Sequence, residues 1–283
     1  MPTLFLILAT LFWGASFMLI KIALREIPPF AFIFFRFLSA SACLLPSLGY
    51  LQEKVNGQDL IRGAGIGLFL GGLIIFQTLG LQTVTASVSA FLTGFSVVFM
   101  LVIRFFVQRR LPSFLDIIAT LACVWGLGLV THSHGLTWEP GVRYSLLAAL
   151  FMALHTQALA VYANSSSLSV LTLVQMLVIT LLAGLAALAS EGKLQVPTQA
   201  STWGAILGCA VLCTALTFWI QAYAQQHLSA LKVSMILTLE PVFATLFAWL
   251  FLGETLQLSF YLGAGLILGA IGLINWRLQE PSS

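Results

Sequence analysis

Ionisable side chains are rare in this sequence, and one carboxylate lies deep inside an apolar stretch. Glu240 is near the middle of residues 229–252, beside Pro241. A carboxylate in such surroundings is costly unless it meets a cation, a ligand or water. The proline removes one backbone hydrogen bond and frees a carbonyl group. We interpret Glu240 as a site for a substrate ammonium group or a proton. The alternative is a structural carboxylate that pairs with a buried cation or caps freed backbone donors.

Further polar residues recur at matching places in the two halves of the chain. A shift of 139 residues places Ser16 on His155, and a shift of 144 places Gln77 on Gln221. Two amides facing one cavity suit a zwitterion or another polar metabolite, whereas the alternative is hydrogen bonding between helices. His155 is interpreted as a proton relay or as a core histidine with satisfied hydrogen bonds.

Aromatic and basic residues complete the set of candidates. An aromatic wall accepts apolar or cationic substrates, and packed or lipid-facing rings are the alternative for each member: Trp13, Phe91, Phe95, Trp219 and Tyr223. Lys21 and Arg36 flank the turn at Pro28-Pro29. They either line the outer mouth of a cavity and engage a carboxylate, or extend to the membrane interface. No Cys and His residues have the spacing of a metal site, so neither a metal nor another cofactor is expected.

The composition shows what surrounds these residues. Hydrophobic residues make up 60% of the chain and charged residues 7%, so lipid must be its solvent. The net charge of +3 is too small to indicate nucleic-acid binding. The first apolar run lacks a basic residue before it and is too long for a cleavable signal, so we expect it to remain as a transmembrane helix. Ten runs are long enough to span a bilayer: 3–25, 29–51, 61–80, 84–107, 113–132, 141–163, 168–190, 203–225, 229–252 and 258–277.

The basic residues between these runs predict the orientation. With both termini in the cytoplasm, the inner loops and tail hold more lysine and arginine than the outer loops, as the positive-inside rule requires. The inner set is Lys54, Arg62, Arg109, Arg110 and Arg277, and the outer set is Arg25, Arg143 and Lys193. The sequence therefore predicts a multi-pass protein of the cell (inner) membrane.

Internal similarity divides the chain into two units, 1–132 and 138–277. Besides the matches above, a shift of 145 residues aligns Leu92-Thr93 with Leu237-Thr238. Each unit holds five predicted helices, and an odd number makes the second unit enter the membrane in the opposite sense. The predicted fold is thus all-α, with ten transmembrane helices in two inverted repeats. This arrangement is typical of secondary transporters with a site near the midplane.

Two motifs carry a resemblance to a known family. The first motif resembles the first-repeat signature of EamA-type transporters in the drug/metabolite transporter superfamily, and it consists of Trp13-Gly14-Ala15-Ser16-Phe17 followed by Lys21, Pro28 and Arg36-Phe37-Leu38. The second motif resembles the penultimate-helix signature of the same family, and it consists of Leu239-Glu240-Pro241-Val242-Phe243-Ala244 and Leu252-Gly253-Glu254. The resemblance implies ten helices, cytoplasmic termini and export or exchange of small metabolites, often amino acids. The first repeat has Phe95-Ser96 and Gln108-Arg109 where the second has its carboxylates. A mechanism with symmetric carboxylates is therefore not expected.

The predicted function is a secondary transporter or facilitator that exports a small polar metabolite, most simply an amino acid or derivative, by alternating access. No nucleotide-binding G-x-x-x-x-G-K-[ST] motif occurs. The alternatives are a channel, a membrane sensor or assembly subunit, and an intramembrane enzyme. The enzyme is disfavoured because Gly14-Ala15-Ser16-Phe17 is not followed by the second glycine that a nucleophile elbow has after its serine. Small-residue spacing in 63–71 and 265–269 indicates close helix packing and a possible homodimer.

Overall fold

The chain folds almost entirely into helices. A computed structural model describes residues 1–50, 55–108, 113–131, 139–253 and 258–277, and no β-strand occurs within these ranges. The α-helices are α1 (Pro2–Ala23), α2 (Pro29–Tyr50), α3 (Gly57–Gly80), α4 (Ala86–Gly94), α5 (Ser96–Gln108), α6 (Phe114–Thr131), α7 (Pro140–Tyr162), α8 (Leu168–Ala186), α9 (Ala200–Ala210), α10 (Thr217–Gln225), α11 (Ala230–Leu237), α12 (Glu240–Leu252) and α13 (Leu258–Arg277). Of the residues used above, Lys54, Arg109, Arg110 and Glu254 lie outside the described residues.

Within these ranges, eight helical spans are long and apolar enough to cross a bilayer. They coincide with the first to fourth and the sixth to ninth predicted runs. The fifth and tenth runs hold α6 and α13, whose apolar segments over 114–126 and 261–270 are shorter than a full span. The prediction of an all-helical, multi-pass membrane protein is therefore confirmed, while ten crossings in two inverted repeats stay a prediction.

Several predicted spans are interrupted near their middle. The fourth divides into α4 and α5 around Phe95, and the ninth into α11 and α12 around Thr238 and Leu239. In the eighth, a π-helical turn, Val211–Leu216, joins α9 to α10. Such turns free backbone carbonyls from the regular hydrogen-bond ladder and are frequent at functional sites. The interruptions therefore place polar backbone groups inside the helix bundle.

Helix α1 packs against α9, α10 and α12. Gly14 is the point of closest approach, because a Cβ atom there would lie 2.5 Å from Phe243 Cβ and 2.8 Å from the Ala244 nitrogen. The absence of a side chain thus lets the backbone of α1 touch that of α12. This contact brings Trp13 and Ser16 to the level at which α12 begins with Glu240.

Helix α3 packs against α7 and α8, and α6 packs against α13. Three of the four glycines in the 63–71 segment face α8 of the same chain: a Cβ atom would lie 2.9 Å from Val174 Cβ at Gly63, 3.0 Å from Gln175 Cα at Gly67 and 3.2 Å from Leu182 Cδ1 at Gly71. Their small-residue spacing is therefore used within the chain. A Cβ atom added at Gly265 or Gly269 would have no neighbour within 4 Å among the described residues, and a homodimer stays a prediction.

Two carboxylates, those of Glu26 and Glu191, form hydrogen bonds between the segments that connect the helices at one end of the bundle. Glu26 Oε1, in the turn after α1, accepts hydrogen bonds from Thr198 N at 2.7 Å, Thr198 Oγ1 at 2.6 Å and Gln199 N at 3.0 Å, just before α9. Glu191 Oε1 accepts from Phe30 N at 2.8 Å at the start of α2. Carboxylates are favourable at helix N-termini, where backbone N–H groups lack partners. We call the end of the bundle where α1 begins the N-terminal side. The end where α1 finishes, which holds Glu26 and Glu191, is the opposite side.

The first testable prediction concerns the contact between α1 and α12. Gly14→Ala should lower the free energy of unfolding by about 1–3 kcal/mol, because the added methyl group meets backbone atoms that cannot yield. Gly204→Ala is the matched control, since Gly204 lies in α9 with open space around it. That control should be neutral or stabilising by up to about 1 kcal/mol. Unfolding in detergent measures both, and equal behaviour of the two variants would contradict the close contact.

The second prediction concerns acid stability. Hydrogen bonds from the hydroxyls of Thr198 and Thr202 hold the pKa of Glu26 at about 2, against an ordinary 4.5. A depressed folded-state pKa stabilises the fold above pH 4.5, and this contribution is lost as the pH falls towards 2. Glu26→Gln should therefore be less stable than the wild type at neutral pH, and the difference should shrink below pH 4.5. A thermal-unfolding difference that is constant from neutral pH to pH 2 would contradict this assignment.

Candidate functional site

A small cavity lies between α1, α2, α3, α7, α10 and the first residue of α12. It collects most of the polar residues that the sequence singled out, from both halves of the chain: Trp13, Ser16, Arg36, Gln77, His155, Gln221 and Glu240. Each comes from a different helix or a different turn of one helix, so only the tertiary packing brings them together. We refer to this space as the central cavity.

The other candidates do not line the central cavity. Phe91 and Phe95 pack edge to face with ring centroids 5.2 Å apart. Trp219 and Tyr223 stack on each other at 5.9 Å along one face of α10. Lys21 lies in the last turn of α1 and is partly exposed. These residues therefore belong to packing surfaces near the cavity.

Helical spacing explains the difference on α10. Phe218 and Gln221 are three residues apart and share the face that lines the cavity. Trp219 and Tyr223 are four residues apart and share another face, so they cannot point into the same space as Gln221. Trp219 and Tyr223 therefore lie outside the lining of the central cavity.

The apolar part of the lining was missed by sequence reasoning. It consists of Leu73, Ile74, Met152 and Phe218. Each of these residues precedes a predicted polar residue of the same helix by three or four positions. Such neighbours share a helix face, so the spacing from Gln77, His155 and Gln221 was the signal that identifies them.

Arg36 brings a buried positive charge to the cavity, with a relative exposure of 1%. Its Nε donates to Thr214 Oγ1 at 2.8 Å, and its Nη2 donates to the carbonyl of Cys213 at 3.3 Å. Both acceptors lie in the π-helical turn Val211–Leu216. The third nitrogen, Nη1, is buried and has no hydrogen-bond partner in the described chain. The guanidinium is therefore fixed in place while keeping one donor for a ligand.

Glu240 provides the acidic group and is 5% exposed. It begins α12, and Pro241 follows in the first turn, where a helix needs no proline N–H. Within the described ranges, no hydrogen bond or ion pair to the Glu240 carboxylate is formed. The charge of Arg36 acts on Glu240 across the cavity, but no nitrogen of Arg36 lies within 4.0 Å of its oxygens. The two charges therefore face a common space without touching.

Two further polar groups of the wall differ in their availability. The buried Nε1 of Trp13 has no hydrogen-bond partner in the described part of the chain. Ser16 Oγ donates to the Trp13 carbonyl at 2.7 Å, and Gln221 Nε2 donates to Thr156 Oγ1 at 3.5 Å. A buried donor without a partner costs about 1–3 kcal/mol. The indole N–H of Trp13 is thus a second group that a ligand would satisfy.

His155 is held by a hydrogen-bond chain. Its Nε2 lies 2.8 Å from Gln175 Oε1, and Gln175 Nε2 donates to the Leu171 carbonyl at 3.0 Å. The Gln175 amide is thereby oriented with its oxygen towards the ring, so this network assigns the hydrogen to His155 Nε2. The ring also meets Phe218 edge to face at 6.0 Å. His155 is therefore a fixed part of the wall.

The central cavity thus combines unpaired donors, Trp13 Nε1 and Arg36 Nη1, with an unpaired acceptor, the Glu240 carboxylate. Unsatisfied buried groups are uncommon in native proteins and require an explanation. A ligand with an anionic end and a cationic end satisfies both sets. No group of three His, Cys, Asp or Glu residues able to hold a metal ion occurs among the residues that the structure describes.

The apolar helices define a multi-pass membrane protein, and the central cavity is its candidate functional site. The EamA-like transporter family matches residues 1–132 and 139–276. Because this match covers nearly the whole sequence, the chain belongs to the EamA-like transporter family.

Individual proteins agree with this assignment. An uncharacterized transporter of Archaeoglobus fulgidus is 31% identical over 275 residues, covering 96% of this chain and 85% of that protein. The uncharacterized transporter YoaV of Bacillus subtilis is 25% identical, covering 93% of this chain and 92% of that protein. A solved crystal structure superposes with a TM-score of 0.81 over 99% of both chains at 16% identity, which shows a shared fold alone.

The anchoring of Arg36 leads to a third prediction. Thr214→Val keeps the side-chain shape but removes the acceptor of Arg36 Nε, and a hydrogen bond to a charged group contributes about 1.5–3 kcal/mol. Thr217→Val is the matched control, because Thr217 is equally buried and its hydroxyl makes only a 3.4 Å bond to the Thr214 carbonyl. Unfolding in detergent should show the larger loss for Thr214→Val. A larger loss for the control would contradict the anchoring role of Thr214.

Proposed function

We propose that this protein is a secondary transporter that exports a zwitterionic amino acid or a close derivative. The observation that carries the proposal is the pair of opposite charges in the central cavity, each with unused bonding capacity. Arg36 Nη1 and Trp13 Nε1 receive the substrate carboxylate, and the Glu240 carboxylate receives the ammonium group. The apolar residues of the wall accept the side chain.

The charges are arranged for recognition of such a substrate. Arg36 is held by Thr214 and Cys213, so little side-chain entropy is lost when a carboxylate binds. Removal of a zwitterion from water is costly unless both ends are paired. A substrate that lacks either end leaves one buried charge uncompensated and is rejected, since polar sites discriminate strongly against ligands that leave them unpaired.

Alternating access is supported by bonds at both ends of the bundle. On the opposite side, Glu26 bonds to Thr198. On the N-terminal side, Arg62 Nη1, in α3, donates to the Ser165 carbonyl at 3.0 Å and to Ser166 Oγ at 3.0 Å, beyond the end of α7. Transport by this route requires one set of bonds to open while the other stays closed, which prevents a continuous pore.

The remaining parts of the proposal concern the membrane. Ten crossings in two inverted repeats place both termini on the same side of the inner membrane. With both termini in the cytoplasm, the N-terminal side of the bundle is the cytoplasmic side. The outward direction follows the family resemblance. No step requires a cofactor or a chemical change of the substrate, so the proposed protein is not an enzyme.

Counterflow in proteoliposomes tests the proposal. Vesicles loaded with one unlabelled amino acid should accumulate the same labelled amino acid transiently and saturably, for at least one member of a panel. A channel gives equilibration without transient accumulation, and a sensor or assembly subunit gives no flux. Failure of every amino acid and derivative in the panel would contradict the substrate class.

The fourth prediction concerns Glu240. Glu240→Gln removes the partner of the substrate ammonium but keeps the size of the side chain, so counterflow should fall by at least about tenfold, as expected for a lost charged partner. Expression and thermal stability should stay close to the wild type, because the carboxylate makes no hydrogen bond or ion pair within the described residues. Glu139→Gln, before α7 and outside the cavity lining, is the matched control and should retain counterflow. A misfolded Glu240→Gln protein would instead assign the carboxylate a structural role.

A further inference from the structure

A second polar cleft opens on the N-terminal side of the bundle. It is formed by the last turns of α7 and α10 and by the start of α11. The rings of Phe5 and Tyr223, 6.5 Å apart, place the end of α10 beside the start of α1. Gln226 Nε2 donates to the Ala163 carbonyl at 2.9 Å and holds the two walls together. We call this space the N-terminal cleft.

Two amide oxygens in the walls of the N-terminal cleft have no partner. Gln225 is 3% exposed, and its Nε2 donates to the Thr156 carbonyl at 2.7 Å. This bond orients the amide, so Oε1 is its free end, and this buried oxygen accepts no hydrogen bond from the described chain. Gln157 Oε1 is likewise buried and unpartnered there. Both side chains line the cleft, so its walls hold two buried acceptors without a partner in the described chain.

A single polar layer separates the N-terminal cleft from the central cavity. Gln221 lines the cavity and Gln225, one helical turn further on, lines the cleft. Thr156 joins them, because its Oγ1 accepts from Gln221 at 3.5 Å and its carbonyl accepts from Gln225 at 2.7 Å. The cleft and the cavity are thus adjacent compartments along one face of α10.

From these contacts we infer that the N-terminal cleft is a second, weaker binding site, specific for a primary ammonium group, through which a substrate reaches the central cavity. Gln157 Oε1 and Gln225 Oε1 accept two of the three ammonium protons. The role in passage depends on the transport function proposed above, whereas the binding itself does not.

The chemistry of the walls supports a transient occupant. Among the described residues that line the N-terminal cleft there is no Lys, Arg, Asp or Glu. Amide oxygens replace part of the water around an ammonium group but provide no full opposite charge. Binding at such a site is weak, and weak binding is what a transfer step requires, because the ligand must leave again. Glu240, a carboxylate side chain, is the stronger acceptor further along.

Saturation-transfer NMR of the purified full chain in non-ionic detergent tests this inference directly. The probe is ethylammonium, and the reference is propionate, which has the same ethyl group but carries a carboxylate in place of the ammonium. The measurements use the Glu240→Gln variant, because the central cavity then lacks its acceptor and the remaining signal reports the cleft. Empty micelles give the background.

Ethylammonium should give a saturable signal with Glu240→Gln that depends on Gln157, whereas any propionate signal, which Arg36 in the central cavity can give, should not depend on Gln157. Adding Gln157→Leu should abolish most of the ethylammonium signal; this side chain makes no hydrogen bond in the described chain, so thermal stability should not change. Gln157→Glu should tighten ethylammonium binding by about threefold, the range of an exposed ion pair. Gln82→Glu, which adds the same charge in the exposed turn after α3, should leave binding unchanged.

Each outcome is decisive. No ethylammonium signal above the micelle background, or a signal that Gln157→Leu leaves intact, overturns the cleft as an ammonium site. Equal gains from Gln157→Glu and Gln82→Glu overturn it as well, since they show bulk charge attraction. If the cleft signal behaves as expected while counterflow fails for every amino acid, the proposed transport function fails and the binding site stands.

Discussion

The buried guanidinium of Arg36 is the constraint on which the site depends. A cation at 1% exposure in an apolar bundle is tolerated only with fixed hydrogen-bond acceptors. The π-helical turn Val211–Leu216 supplies them, because it presents the Cys213 carbonyl and the Thr214 hydroxyl together. Glu240 lines the same cavity but makes no ion pair with the guanidinium. An uninterrupted helix in place of this turn would keep the Cys213 carbonyl in its own ladder.

The close contact at Gly14 determines where the acidic and indole groups meet. Since α1 touches the backbone of α12 there, Trp13 stands beside the residue that begins α12. A larger residue at position 14 would separate these helices and widen the gap between the Trp13 N–H and the Glu240 carboxylate. The family motif around Trp13-Gly14 and the motif around Glu240-Pro241 are therefore two sides of one interface, although 226 residues of sequence numbering separate Gly14 from Glu240.

Sequence reasoning predicted the helical membrane fold and most polar residues of the cavity, because charges and amides within apolar runs are conspicuous. It failed where a residue's direction decides its role. Trp219 and Tyr223 resemble a cavity wall by type but lie on another face of α10 than Gln221. Thr214 gave no signal at all, since a threonine in an apolar run is ordinary. Its role arises only from the π-helical turn and from Arg36, which lies 178 residues away in sequence.

The order of acceptors along the proposed route explains how weak and strong sites cooperate. An ammonium group that leaves water loses solvation first in the N-terminal cleft, where two amide dipoles recover part of it. Thr156 is bonded on both sides of the dividing layer, so passage requires those bonds to exchange. Beyond it the full charge of Glu240 compensates the ammonium, and Arg36 the carboxylate. A carboxylate in the N-terminal cleft would bind the substrate too tightly for it to reach the central cavity. The neutral Gln157 and Gln225 bind the ammonium group more weakly, so the substrate enters with its cationic end first and can still move on.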